Sequence, residues 1–85
     1  MIRFELYTLP TCPNCPPMKS FLADCGIPGS FVNALDESGF QKARLLGIQH
    51  VPTVVFFNDG KEVGRCTDLA DARHVVERTL EEIGG

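Results

Sequence analysis

Short apolar segments with the periodicity of strands alternate along this chain with segments that have the periodicity of helices. Apolar and polar residues alternate from Ile2 to Tyr7, and this period of two predicts a strand that buries one face. The same alternation puts Glu5 on the opposite face, where we expect it to point to solvent. From Met18 to Cys25 the apolar residues recur three and four positions apart, which predicts a helix capped at its C-terminus by Gly26.

The middle of the chain predicts a second unit of strand and helix. After a turn at Ile27-Pro28-Gly29, residues 30–35 form the second predicted strand. Asp36-Glu37-Ser38 supplies residue types that favour a helix N-terminus, and the helix is predicted to end at Gly47. Three apolar residues are expected to face the core from this helix: Phe40, Ala43 and Leu46.

The last third predicts a buried strand, a hairpin and a helix. Val54 to Phe57 is a continuous apolar run, typical of a strand covered on both faces. Asn58-Asp59-Gly60 is a hairpin signal, so residues 62–66 are expected to pair back antiparallel. Asp68 can cap the final helix, whose apolar stripe comprises Leu69, Ala72, Val76, Leu80 and Ile83. The order β-α-β-α-β-β-α predicts one α/β domain over residues 1–85, with a four-stranded mixed sheet between helix layers.

Composition narrows the class of protein and its partners. At 85 residues, of which 44% are hydrophobic and 22% charged, the chain suits one modest globular core. A formal net charge of -3 argues against nucleic acid as a partner. Arg3 and Glu5 interrupt any secretory apolar segment, and the apolar run from Val51 to Phe57 is far too short to span a membrane. We therefore expect a cytoplasmic monomer that binds neither nucleic acid nor membrane and whose thiols are held reduced.

The segment Cys12-Pro13-Asn14-Cys15 lies between the first predicted strand and the first predicted helix. Two cysteines with this spacing can close a small disulfide, and a helix N-terminus favours a thiolate through its amide groups and its dipole. A Cys-x-x-Cys beside a βαβ pattern is typical of thiol–disulfide chemistry. A loop this short restricts the unfolded chain very little, so a purely structural disulfide explains the pair less well.

The same pair could also be half of a metal site, for Zn or for an iron–sulfur cluster. A structural Zn site needs about four ligands. The other candidate ligands are scattered and include no second pair with ligand spacing: Cys25, Cys66, His50 and His74. A cluster held between two chains would need fewer ligands from each chain, so the metal-binding alternative stays open. Cys25 and Cys66 are otherwise expected to pack as small apolar residues.

These motifs, in this order, resemble the thioredoxin/glutaredoxin superfamily in its compact form, over essentially the whole chain. Thr11-Cys12-Pro13-Asn14-Cys15, with Lys19 four residues on, is similar to glutaredoxins, as is the segment from Val63 to Leu69. The segment from Gly47 to Thr53, followed by apolar residues and Asp59-Gly60-Lys61, is similar to the second half of thioredoxins. The resemblance implies a thioredoxin-like fold.

The resemblance also implies a role for each residue of the motif. Cys12 is expected to be the nucleophile, its thiolate facing the amides of Asn14 and Cys15, and Cys15 is expected to resolve the mixed disulfide formed with a partner. Pro52 is expected to follow a cis peptide bond, which turns the Val51 backbone toward an extended substrate beside Cys12. Further substrate contacts are expected at Thr11, Pro13, Asn14, His50, Thr67 and Asp68.

Three positions depart from the family patterns. Thr11 replaces a tryptophan of thioredoxins, while Leu9 and Arg65 replace a basic residue and a glycine that many glutaredoxins carry. Since Leu9 and Arg65 remove features that glutathione binding uses, we expect a flavin-dependent thioredoxin-type reductase to recharge the protein better than glutathione. No buried acid is expected near the dithiol, because Glu5 is the nearest candidate and is predicted to be exposed. At the helix start, Pro16 and Pro17 are expected to remove at least one helix hydrogen bond.

The function implied by the resemblance is that of a small cytoplasmic dithiol carrier. Its expected substrates are disulfide-containing proteins, with ribonucleotide reductase and peroxidases as the classes that the resemblance suggests. No metal and no cofactor are expected beyond the redox-active Cys12–Cys15 disulfide. Besides the metal-binding module, a disulfide isomerase remains an alternative, because it differs only in redox potential and in partners.

Overall fold

The structure, a computed structural model, describes residues 1–84 and their side chains as far as residue 81. The predicted core position Ile83 therefore lies outside the described side chains. Within this part of the chain the elements are β1 (Ile2–Thr8), α1 (Cys15–Ala23), β2 (Gly29–Asn33), α2 (Glu37–Leu45), β3 (Thr53–Asn58), β4 (Lys61–Cys66) and α3 (Leu69–Gly84). The strands form one sheet in the order β2-β1-β3-β4. Because β1 pairs parallel with β2 and antiparallel with β3, the predicted mixed sheet and the predicted order of elements are confirmed.

Hydrophobic side chains pack on both faces of the sheet. The larger cluster combines residues of the sheet with residues of α1 and α3, among them Leu6, Met18, Val54, Phe56 and Val76. The smaller cluster combines the other face with α2 and contains Tyr7, Ala43, Val55 and Phe57. Successive side chains of a strand point to opposite faces, so β3 contributes two residues to each cluster. The prediction that β3 is buried on both faces is confirmed.

Glu5 is buried, with 8% exposure, and the prediction that it points to solvent is wrong. β1 lies in the middle of the sheet, and α2 covers the face that carries Glu5 and Tyr7. The Tyr7 hydroxyl donates to Glu5 Oε1 at 2.8 Å, and Arg3 Nη1 donates to Glu5 Oε2 at 3.1 Å. Burial raises the pKa of Glu5, but these hydrogen bonds and the positive charges of Lys42 and Arg3 outweigh it and hold the pKa below its ordinary value. The polar residues of β1 therefore form a hydrogen-bond network in which the buried carboxylate of Glu5 has a donor for each of its oxygens.

The helix ends differ from the predicted ones in detail. α1 ends at Ala23 with Asp24 as its cap, and Gly26 follows two residues later with a positive φ of 84°, in the turn rather than at the cap. In α2 the side chain of Phe40 is 53% exposed, so its predicted place in the core is wrong. Gly39 faces the sheet instead, where an added Cβ would overlap the carbonyl oxygen of Asn33. This close approach turns Phe40 outward.

The second half of the chain follows its local signals closely. Asn58 pairs with Lys61 across a two-residue loop, and Asp59 and Gly60 both have positive φ, 53° and 87°. This is the geometry of a type I′ hairpin turn. Asp68 Oδ1 accepts a hydrogen bond from the amide of Asp71 at 2.8 Å, so the predicted cap of α3 is confirmed.

One predicted core residue of α3 lies nearer the surface than expected, because Leu80 is 40% exposed. The stripe that does pack on the sheet is carried by Ala72 and Val76, which are 0% and 3% exposed. In residues 1–84 we find no helix with the length and apolar character needed to cross a membrane.

Candidate active site at the Cys12–Cys15 dithiol

Cys12 and Cys15 are joined by a disulfide, with their Cα atoms 5.4 Å apart. Cys12 is half-buried, whereas Cys15 is only 5% exposed. The turn that carries them is closed by backbone bonds from the Cys12 amide to the Leu9 carbonyl at 3.1 Å and from the Cys15 amide to the Cys12 carbonyl at 3.5 Å. A sulfur atom of another molecule therefore reaches Cys12 more easily than Cys15.

The start of α1 determines where each sulfur lies relative to the helix N-terminus. Asn14 is the N-cap and Cys15 is the first helical residue, so Cys12 lies just outside the first turn. Pro16 and Pro17 occupy the second and third helical positions, whose N–H groups would have no acceptor within the helix. The expectation that they remove a helix hydrogen bond is therefore wrong. They do remove two amide donors from the first turn.

Strand pairing brings the other predicted site residues to the same edge of the sheet. Tyr7, near the end of β1, pairs with Thr53 at the start of β3. Immediately before Thr53 lies the Val51–Pro52 peptide bond, which is cis. Pro52 is buried, Val51 is half-buried, and His50 is exposed while its carbonyl oxygen accepts a hydrogen bond from Thr53 Oγ1.

Two depressions lie next to the dithiol turn, and Leu9 contributes to both. The first, which we call the dithiol cleft, has a volume of about 450 Å³ and is lined by Thr8, Cys12, Cys15, Lys19, Phe31 and Asn33, among others. The second, the α2 groove, has a volume of about 340 Å³ and is lined by Leu35, Phe40, Ala43, Arg44, His50 and Val51, among others. Leu9 therefore lies between a cleft of mixed polar and apolar lining and a largely apolar groove.

The structure groups some of the predicted substrate contacts and separates others. His50 and Val51 lie together in the α2 groove. Thr11, Pro13 and Asn14 are exposed on the dithiol turn itself. Thr67 and Asp68 are exposed beyond the end of β4, whose last residue, Cys66, pairs with Val54 of β3. Asp68 already uses one carboxylate oxygen as the cap of α3.

Several residues beside the dithiol were not foreseen as parts of a site. Phe31 and Asn33 enter the dithiol cleft because β2 runs parallel to β1, with Thr8 paired to Asn33. Phe40 and Arg44 line the α2 groove because Gly39 faces the sheet, and the Arg44 guanidinium lies 5.9 Å from the centre of the Phe40 ring. Parallel pairing of the first two strands, which the βαβ pattern predicts, was the signal that could have identified Asn33.

The remaining cysteines lie in the hydrophobic core. Cys25 is 8% exposed and directs its Sγ toward the Ile27 carbonyl at 3.9 Å, and Cys66 is 6% exposed. Burial, with smaller contributions from Asp71 and Asp68, raises the pKa of the Cys66 thiol. Both thiols therefore fit the prediction that they pack as small apolar residues.

The buried Glu5 is not part of the dithiol environment. It lies three residues before the end of β1, a distance of about 10 Å along a strand. It also lies beneath α2, whereas α1 packs on the opposite face of the sheet. Among the side chains that the structure describes, as far as residue 81, no three His, Cys, Asp or Glu residues are grouped in a way that could hold a metal ion.

Comparisons with known proteins agree with this geometry. The glutaredoxin family model matches residues 4–63. The chain is similar to a thioredoxin from Methanocaldococcus jannaschii, with 29% identity over 83 residues that cover 91% of this chain and 95% of that protein. Among solved structures, oxidised thioredoxin O2 from Arabidopsis thaliana gives a TM-score of 0.82 at 15% identity and covers 92% of this chain and 74% of its own. Thioredoxin 1 from Thermosipho africanus gives 0.76 at 18% identity, over 98% and 99% of the two chains. The structural matches show a shared fold.

Proposed function

Because the chain belongs to the glutaredoxin family and is a thiol–disulfide oxidoreductase of the thioredoxin/glutaredoxin superfamily, we propose that it reduces protein disulfides in the cytoplasm. The observation that carries this proposal is the unequal exposure of two bonded cysteines at the start of one helix, with Cys12 accessible and Cys15 buried. This arrangement suits a nucleophile that meets the partner and a second thiol that stays inside.

The reaction proceeds in two exchanges. In the reduced protein the Cys12 thiolate attacks one sulfur of the partner disulfide, and the other partner sulfur leaves as a thiolate that takes up a proton. Cys15, once deprotonated, attacks Cys12 Sγ, and the second partner sulfur leaves in the same way. Two thiols of the protein have then become the Cys12–Cys15 disulfide, and the partner has gained two electrons and two protons.

The substrate in this proposal is an extended segment of a protein that carries a disulfide. It lies along the Val51 backbone beside Pro52, and it contacts His50 and the exposed dithiol-turn residues Thr11, Pro13 and Asn14. The α2 groove has a largely apolar lining, which supports the proposal that the substrate is a protein segment with apolar side chains. Ribonucleotide reductase and peroxidases are candidate substrates of this kind.

For the reductant we propose a flavin-dependent thioredoxin-type reductase. The chain's similarity to a thioredoxin over nearly the whole of both proteins supports this choice. Arg65 forms two hydrogen bonds of 2.7 Å with the carboxylate of Glu62, so its guanidinium is already paired and lies toward the hairpin. Leu9 supplies no charge on the other side of the dithiol turn. Both features leave fewer partners for the carboxylates of glutathione.

One observation favours glutathione as a second candidate. Arg44 lines the α2 groove together with His50 and Val51. A guanidinium in that place can pair with a carboxylate of a small thiol whose backbone runs along Val51, while Thr67 and Asp68 hold its other end.

The test measures NADPH consumption by the oxidised protein with each reducing system, using insulin as the disulfide substrate. Faster turnover with the thioredoxin-type reductase supports the proposal. Turnover only with glutathione and glutathione reductase, and its loss in Arg44→Gln, would assign the reductant to the second candidate. Cys25→Ala serves as the control for removal of a thiol, because Cys25 lies in the core. With either reductant, the proposal requires that Cys12→Ser loses insulin reduction and that Cys25→Ala retains it.

A further inference from the structure

Lys19 lines the dithiol cleft together with both bonded cysteines. Cys15 and Lys19 are four residues apart in α1, and residues with this spacing are neighbours on one side of a helix. Across the cleft, the Lys19 ammonium lies 5.6 Å from the centre of the Phe31 ring. A cation–π contact of this kind holds the positive charge within the cleft.

Lys19 is the one charged residue among those that line the cleft, and no carboxylate among the described side chains of residues 1–81 forms an ion pair with it. Its positive charge is therefore not neutralised locally. The titratable groups of the neighbouring segments do not line the cleft. They include Asp24 at the end of α1, Asp36 after β2, Asp68, Asp71 and Arg73 at the start of α3, His50 before β3, and Glu5 beneath α2.

The first turn of α1 offers unusually few amide donors to a thiolate. Thiolates at a helix N-terminus are stabilised by the free N–H groups of that turn and by the helix dipole. Here Pro16 and Pro17 occupy two of the positions that would supply such groups. Cys15 is also 5% exposed, and burial in apolar surroundings disfavours the charged form of a thiol. The resolving step nevertheless needs Cys15 as a thiolate.

We propose that Lys19 is a positioning residue that stabilises the Cys15 thiolate, in place of the amide donors that Pro16 and Pro17 remove. This rests on the resolving role proposed for Cys15 above. In the mixed disulfide, the Cys15 proton leaves to solvent, the thiolate forms beside the Lys19 ammonium, and it attacks Cys12 Sγ while the partner's sulfur departs as a thiolate. Phe31 contributes by keeping the ammonium over its ring.

The first experiment follows alkylation of Cys15 by iodoacetamide between pH 5 and pH 10, in the Cys12→Ser background, with the modified residue assigned by peptide mass mapping. We expect Lys19→Gln to move the midpoint of the pH dependence to higher pH and to slow alkylation at pH 7 by three- to tenfold. Lys19→Arg should restore both. Lys61→Gln is the matched control, since it removes the same charge at the hairpin end of the sheet and should change neither.

The second experiment measures the equilibrium of the intact dithiol with a reference dithiol at pH 9, where a larger fraction of the Cys15 thiol in the reduced protein is ionised than at pH 7. Losing a cation that stabilises a thiolate disfavours the reduced form, so Lys19→Gln should shift the equilibrium toward the disulfide by three- to tenfold. A tenfold shift corresponds to about 30 mV for this two-electron couple. Phe31→Leu should shift it in the same direction by less. In a Pro16→Ala background, which restores one amide donor, the effect of Lys19→Gln should be smaller.

An unchanged pH midpoint in Lys19→Gln, with a raised KM for the protein substrate, would overturn the proposal and make Lys19 a contact for an anionic partner. An unchanged midpoint, potential and KM would overturn it as well. Neither result would affect the proposed roles of Cys12 and Cys15. Those roles would fail separately, if Cys12→Ser retained insulin reduction or if Cys15→Ser formed no mixed disulfide.

Discussion

The two pairs of cysteines in this protein share one functional group and differ in their surroundings. Cys12 and Cys15 lie at the start of a helix, bonded to each other and lining an open cleft. Cys25 and Cys66 are free thiols in the larger hydrophobic cluster. The pKa of the Cys66 thiol is raised by burial. The surroundings of a cysteine therefore determine whether its thiol takes part in electron transfer. Here these surroundings are its exposure, its distance from a helix end and the nearby charges.

The largest expected effect is a difference in the rate of insulin reduction between variants of the two cysteine pairs. Cys12→Ser should lower the rate of insulin reduction by at least about a thousandfold, because the accessible nucleophile is lost and no other thiol lies at the surface of the dithiol turn. Cys25→Ala should retain activity within a factor of about two. Comparable losses in both variants would show that the core thiols also take part in the reaction.

The second prediction separates the two members of the reactive pair. Cys15→Ser keeps the accessible sulfur but removes the thiol that releases the partner, so it should accumulate a mixed disulfide with a protein substrate. Non-reducing electrophoresis before and after dithiothreitol measures this adduct. Cys12→Ser is the matched control and should form far less of it. Equal trapping by the two single variants would contradict the assignment of roles.

The third prediction concerns the stability contributed by the core pair. Replacing Cys25 or Cys66 by alanine removes a buried sulfur and leaves a small cavity, so each variant should lose about 1 kcal/mol of unfolding free energy. Urea unfolding of the oxidised protein measures the loss. A variant as stable as the parent would show that the thiol makes no packing contribution.

The smallest expected effect is a dependence of stability on alkaline pH. Since the pKa of Cys66 is raised in the folded protein, the unfolded chain loses this proton first, at a pH of about 8.5. The contribution of Cys66 to stability is therefore complete below that pH and falls as the pH rises through the folded-state pKa. Urea unfolding of the oxidised protein between pH 7 and pH 9.5 should show a shallower fall in Cys66→Ala. Parallel curves for variant and parent would contradict the raised pKa.

Features that depend on neighbouring residues in the sequence could be predicted. The hairpin follows from Asn58-Asp59-Gly60, and the cap of α3 follows from Asp68, because each depends on a few consecutive residues. The dithiol was likewise recognisable from its spacing and from the helix pattern that follows it. The order of elements along the chain and the mixed four-stranded sheet were also predicted and are confirmed.

Features that depend on how elements pack could not be read from periodicity. Alternation along β1 indicated one apolar face, but it did not show that α2 would cover the other face and bury Glu5. In α2, the inward position is taken by Gly39 because only a residue without Cβ fits against the Asn33 carbonyl. Phe40 is consequently exposed. The contact between Lys19 and Phe31 joins residues that only the parallel pairing of β1 and β2 brings together.

The hydrogen bonds among Arg3, Glu5 and Tyr7 restrict which residues positions 5 and 7 can hold together. Tyr7→Phe alone would remove a donor from a buried carboxylate, and Glu5→Leu alone would leave the Tyr7 hydroxyl without its acceptor. Leaving one buried polar group unsatisfied costs about 1–3 kcal/mol, whereas replacing both partners by apolar groups can be nearly neutral. Relatives of this protein should therefore change positions 5 and 7 together. In a library that randomises both positions, selection for folding should recover matched polar or matched apolar pairs.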